Sequence, residues 1–262
     1  MIALAHTRHT TENKPHKRSA APWRLVALTC MFAAVTSMKA QIGEPRRGIA
    51  IGVNAGVAMN SVGFDPTIKQ KMAIGPTFGL TLRLTSEKYF STVCALQAEL
   101  NYARLGWKED IRSSADEPLP DTYSREQDWM RLPLLARLGW GRETKGCMGY
   151  IVAGPELGYL LGERSKRSNV WTLDAEGNPD RPNGLYAQYD MMADHRFDYG
   201  ITAGAGLEIS TTVGHFTLDG RYYYGLSDLY ANSKRDVFQR SNNSTINIRL
   251  TWLFDLRKEK SK

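Results

Sequence analysis

The chain has no hydrophobic run long enough to cross a membrane as a helix. The longest, LVALTCMFAAVTSMKA at 25–40, holds roughly a dozen apolar residues, where a spanning helix needs about 20. If the protein lies in a membrane, it crosses as strands. Cysteine is scarce, with three among 262 residues, and histidine numbers five. Beyond residue 40 only His195 and His215 remain, too isolated to suggest a metal or catalytic cluster. Charge of one sign is scarce as well, once its location is considered. The formal charge is +7, from 34 basic and 27 acidic residues, but the first 40 residues hold six basic residues and one acid. The remainder therefore has 34 − 6 = 28 basic and 27 − 1 = 26 acidic residues, a net +2. That balance does not support a basic patch for a nucleic-acid backbone.

What is present begins with a leader. Residues 1–24 are polar and basic, the apolar run follows, and small residues close it at Ala40. This order reads as a secretory signal peptide over 1–40, cleaved before Gln41. An exported chain without a membrane helix then offers two classes, a soluble exported barrel or sandwich and a membrane barrel.

Alternation of apolar and polar residues marks eight strands, at about 48–59, 75–85, 92–105, 127–140, 147–161, 197–210, 215–226 and 244–254. Most run 11–14 residues. Tilted membrane strands need about 9–11 residues, whereas strands of soluble proteins average about 5–6. The connections run 15, 6, 21, 6, 35, 4 and 17 residues. Long and short links alternate, as in an up-and-down barrel with short turns on the periplasmic side and long loops outside. The long links at 60–74, 106–126, 162–196 and 227–243 are expected to face outward. A short segment, 41–47, precedes the barrel and a charged tail, 255–262, follows it.

Each strand has one apolar and one polar face. Phe78, Leu80, Leu82 and Leu84 oppose Arg83, and Leu250, Trp252 and Phe254 oppose Arg249. The polar faces together carry Arg83, Arg131, Arg137, Arg221 and Arg249, and the acids Glu99, Glu156, Asp198, Glu208 and Asp219. Equal numbers of each sign suggest a paired network filling a narrow lumen, because an unpaired buried charge costs several kcal/mol. Arg249 is expected to meet a carboxylate on a neighbouring strand such as Asp219. The apolar faces then meet lipid. Aromatics near strand ends, among them Trp107, Trp129 and Tyr123 at one end and Trp140, Trp252 and Phe254 at the other, are expected to form interfacial girdles. Cys94 and Cys147 fall on the apolar face two strands apart, about 10 Å, beyond disulfide reach, and are expected to be free thiols.

No catalytic, cofactor or metal motif stands out. Gly200-Ile-Thr-Ala-Gly204-Ala-Gly206 sits within a strand pattern rather than before a helix, so it lacks the context of a dinucleotide site. Its small residues are expected to make room for bulky neighbours in the lumen. Asp174-Ala-Glu-Gly-Asn-Pro-Asp180 lacks the spacing of a calcium loop and reads as a solvated turn.

The ordered recurrence of Gly52-Val-Asn-Ala-Gly56, Ala98-Glu-Leu-Asn-Tyr102, Arg131-Leu-Pro-Leu-Leu135, Gly154-Pro-Glu-Leu-Gly158-Tyr-Leu-Leu161, Asp198-Tyr-Gly200, Asp219-Gly-Arg-Tyr222 and a closing Phe254 resembles the PorT-like outer-membrane barrel family of Bacteroidetes, over nearly all of residues 48–254. The resemblance implies an eight-stranded antiparallel barrel in a Gram-negative outer membrane. It also implies a weak link to protein secretion, a role of the founding member. The sequence therefore reads as a non-enzymatic outer-membrane barrel that presents loops for interaction or envelope integrity, its lumen closed by paired charges. Lipid is the expected partner, with envelope or secretion proteins meeting loops 106–126 and 162–196. The rival readings are a secretion or assembly component, an outer-membrane enzyme using carboxylates such as Glu99 and Glu156, and a soluble exported barrel with a ligand cavity.

Overall fold

Strict alternation of side chains gives each segment two unlike faces, and only pairing on both edges satisfies its backbone. The result is eight antiparallel strands: β1 (Glu44–Asp65), β2 (Gln70–Tyr89), β3 (Thr92–Glu109), β4 (Tyr123–Gly141), β5 (Gly146–Arg167), β6 (Phe197–Thr211), β7 (Gly214–Gly225) and β8 (Arg240–Arg257). Each pairs with its sequence neighbour, and β1 pairs with β8, for example Ala55 opposite Leu250, to close the barrel. This is a computed structural model, and it describes residues 44–142, 146–233 and 235–257. The expected leader, 1–40, lies outside the described residues, as do the last five residues of the expected tail.

The outward faces are apolar over a continuous belt. Along β4 it runs from Met130 through Leu132, Leu134 and Leu138 to Trp140, all exposed. At 3.4 Å per residue and a tilt near 40°, those ten steps span about 26 Å, the height of a bilayer's apolar band. Both described cysteines are free.

Three expectations are corrected. First, the strands are longer than the alternation suggests, and the connections shrink to 66–69, 90–91, 110–122, 142–145, 168–196, 212–213 and 226–239. Three outer loops are long; the first is a turn of four residues. Residues 60–65 and 70–74 stay paired because Val62 and Phe64 turn inward into a buried core, and Gln70 bonds both backbone groups of Val62 (Nε2 to O at 2.7 Å, N to Oε1 at 3.2 Å). Second, β8 continues to Arg257, so Asp255 belongs to the barrel rather than to a tail. Third, Trp107, Trp129 and Tyr123 are not in a lipid girdle. They are buried inside the barrel, with Trp107 and Trp129 at 0 % exposure against 41 % for Trp140 and 40 % for Trp252. Above the belt the apolar side of the wall turns from lipid to lumen. The aromatics at the outer edge of the belt are other residues, including Tyr102, whose ring is tilted against that of Phe78 at 5.1 Å, and the exposed Phe197, Tyr222 and Tyr224.

Candidate functional site: a filled lumen under a folded lid

Three tiers of charge occupy the lumen. Nearest the short turns, Glu208 on β6 receives Arg83 (2.7 Å) and Arg137 from across the barrel, and His215 Nδ1 at 2.7 Å. Arg137 also lies over the Tyr150 ring, 3.6 Å from its centroid. In the middle tier Glu99 accepts from Arg221 (2.9 Å), Arg249 (2.6 Å), Gln97 (2.6 Å) and Asn101 (2.9 Å). Asp219 pairs with Arg221 at 2.7 Å and accepts from the Tyr150 hydroxyl at 2.9 Å. In the upper tier Arg131 lies between the rings of Trp129 (4.6 Å) and Tyr223 (4.7 Å), with Asp198 at 2.8 Å and Glu156 at 4.0 Å.

All ten charged residues singled out in the sequence thus point inward and meet an opposite charge. The pairing differs in one respect. Arg249 takes Glu99, across the lumen, as its close partner and stands 3.9 Å from Asp219 on the adjacent strand. Glu99 is shared by the two guanidinium groups, Arg221 on Oε1 and Arg249 on Oε2.

Glycines on the inward face of β6 admit these bulky side chains. A Cβ on Gly200 would lie 2.7 Å from the Tyr223 ring, and one on Gly206 would lie 2.7 Å from the Tyr150 ring. Between the middle and upper tiers the space left is a cavity of about 10 Å³, bordered by Thr77, Asn101, Arg131, Glu156 and Arg249, room for about one water molecule.

His215, isolated in the sequence, has partners in the fold. Its Nε2 lies 3.0 Å from Asp255, and its Nδ1 lies 2.9 Å from Ser210 Oγ. These distances resemble a Ser–His–carboxylate relay, but Nδ1 also faces Glu208 at 2.7 Å. Both ring nitrogens are engaged by carboxylates, and neither is free to take the serine proton. The signal existed in the sequence: Asp255 shares the parity of Arg249, which put it on the lumen face. Among the described residues no group of three His, Cys, Asp or Glu is placed to hold a metal ion.

Above the charges sits an aromatic cap. Phe64, Trp107, Trp129, Tyr123, Leu105, Leu160, Tyr230 and Phe238 form one buried cluster. Phe64 meets Trp107 edge-on at 5.4 Å and Phe238 at 4.9 Å. A bulge in β5 helps build it. Asp128 pairs with Gly162 and Trp129 with Leu160, so Leu161 is extra. That shift turns Glu163 inward, where it meets Arg125 at 3.2 Å and accepts the Ala193 amide at 2.7 Å.

The loop 168–196 lies over this cap as a lid. Tyr189 inserts between Tyr123 (4.8 Å, edge-on) and Trp171 (4.7 Å, stacked). Arg181 ties the lid down, bonding Tyr189 through Nε (2.6 Å) and Asp121 through Nη2 (3.0 Å). The Tyr189 hydroxyl in turn donates to Glu109 at 2.9 Å, with Gln188 Nε2 at 3.4 Å. The Asp174–Asp180 segment is the lid's hairpin: Asp174 accepts the amides of Glu176 and Asn178, and Asp180 accepts the Ser114 amide. Burial pushes the Glu109 carboxyl above the usual glutamate range, against the hydrogen bonds from Tyr189 and Gln188. Glu109 therefore holds its proton more tightly with the lid docked than undocked. Docking is strongest below the ordinary glutamate value of about 4.3 and weakens as pH rises through the raised one.

The sequence matches the family model described as outer membrane protein beta-barrel domain over residues 39–231. No curated protein matches it. Among solved structures it is similar to Ail, the attachment invasion locus protein of Yersinia pestis, at 13 % identity and TM-score 0.35, over 80 % of this chain and 99 % of that one. It is similar to neisserial surface protein A at 11 % and 0.39, over 79 % and 97 %, and to OprG from Pseudomonas aeruginosa at 12 % and 0.38, over 81 % and 98 %. With the closed ring of eight strands, the outward apolar belt and a family match over most of its length, the chain belongs to the outer-membrane protein beta-barrel domain family and is an eight-stranded barrel of a Gram-negative outer membrane.

Proposed function

We propose that the protein is a non-enzymatic, closed barrel that displays loops 110–122, 168–196 and 226–239 at the cell surface for interaction or envelope integrity. The observation that carries this reading is the filled interior, three paired tiers of charge beneath an aromatic cap and a tied-down lid. A conducting pore or a ligand barrel keeps an open cavity instead. Resemblance to the PorT-like barrels of Bacteroidetes supports a second reading, a subunit of a secretion or envelope-assembly complex that docks partners on the same loops.

Protease added to intact cells tests the orientation and the lid together. Slow cleavage within 168–196 is expected. It should be faster with Arg181→Ala, and faster at neutral pH than near pH 4 after correction for the protease's own profile, because Glu109 loosens the lid on losing its proton. Cleavage only after the outer membrane is permeabilised would contradict the outward orientation. A stoichiometric set of secretion proteins retained in mild detergent would favour the second reading.

A further inference from the structure

Above the belt the barrel is lopsided. β3, β4 and β5 rise to Glu109, Tyr123 and Arg167, whereas β6 begins at Phe197 and β7 ends at Gly225. The outward face of this raised wall is charged. Tyr102, opposite Met130, closes the apolar belt. Arg104 stands opposite Asp128 in the next tier, then Glu126 opposite Arg164, then Ser124 opposite both Lys108 and Lys166. Successive tiers differ in height by about 5 Å, from two residues at 3.4 Å and a tilt near 40°. A phospholipid headgroup layer is about 5–8 Å deep on each side of a bilayer, so the first tier lies within it, and the second and third, about 10 and 15 Å above Tyr102, stand beyond it at the height of a larger, sugar-bearing headgroup.

Four cations share this face with two acids. Asp128 is divided between Arg104 (2.9 Å) and Arg164 (3.0 Å), and Glu126 holds Lys166 at 2.7 Å. Lys108 has no ion-pair partner among the described residues. The Arg164 and Lys166 side chains are 61 % and 70 % exposed, leaving donors free beyond those pairs. The Tyr102 hydroxyl donates to Asp128 and ties the girdle to the charged wall. The four cations against two acids leave this face a surplus of +2 above the belt on one side of the barrel.

We propose that the outward face of β3–β5 above the belt docks the phosphate-bearing headgroups of outer-leaflet glycolipid, with Arg164, Lys166 and Lys108 binding phosphate and Arg104 braced by Asp128 beneath them. A guanidinium and two ammonium groups present several donors to the oxygens of a phosphate, and the adjacent belt takes its acyl chains. This inference rests on the outward orientation of the loops proposed above.

Native mass spectrometry tests it on the full mature protein in detergent, mixed with lipid A or with dephosphorylated lipid A of the same acyl chains. The phosphorylated form is expected to be retained about tenfold better. The variant K108Q/R164Q/K166Q should abolish that preference, and D128N, which removes one acid, should widen it. Heat-modifiable gel migration reports whether each variant is folded; if the triple variant is not, D128N decides. Equal retention of the two lipids by the wild type would overturn the proposal, as would a preference unmoved by the folded variants, or capture of acidic protein without lipid selectivity. Protease protection in intact cells separates the two ideas: loops shielded in cells with the lipid preference intact would overturn the orientation and leave the phosphate site standing.

Discussion

Replacing Glu208 with alanine is expected to destabilise the folded barrel by about 3–5 kcal/mol, the cost of leaving buried charge uncompensated. Among the described residues Glu208 is the single carboxylate paired with Arg83 and Arg137 and one of two paired with His215. All of these lie inside the wall, largely shielded from water. Removing it strands two guanidinium groups 2.7 Å or less from an empty position. Urea titration of the protein folded in detergent micelles, followed by heat-modifiable migration, measures the loss. A fuller replacement, Arg83→Met with Arg137→Met and Glu208→Leu, should restore most of it, because removing the whole set leaves no lone charge. If the single and triple variants lose the same stability, the tier is not the paired unit its distances indicate.

Trp107→Ala is expected to cost about 3–5 kcal/mol, the range for truncating a large buried aromatic. Its ring is enclosed by Phe64 and lies 5.5 Å beneath the Arg125 guanidinium. The hole would open at the heart of the cap, so the lid should also become more susceptible to protease. Trp140→Ala, on the lipid face at the other end, should cost less, since that ring is partly exposed and the lipid can close over the gap. The same urea titration compares them. Equal losses from the two would mean that both rings sit in one kind of environment, as expected of two girdles, and would contradict the inverted cap.

How legible this arrangement was in the sequence depends on the range over which each feature is set. The lumen charges were readable because strand parity is strictly local: a strand residue and its second neighbour share a face. The same parity also held the answer for Trp107 and Trp129. Trp107 lies eight residues from Glu99, and Trp129 two from Arg131, so both share the lumen side. The expectation that strand-end aromatics meet lipid overrode that parity. It fails because the strands outrun the bilayer, and once the outer face leaves lipid for headgroups and water the apolar side chains belong inside. Tyr189, Arg181 and Asp121 come together through folding of a long loop, a contact that no periodicity encodes. The Leu161 bulge likewise depends on pairing with β4 and left no mark in β5 alone.

The central claim is that this barrel is closed, and conductance across a planar bilayer tests it most directly. Purified protein, shown by heat-modifiable migration to be folded, should insert without discrete current steps at moderate voltage, because the cavity between the middle and upper charge tiers has room for about one water molecule. Large, steady openings from the wild-type protein would contradict the account.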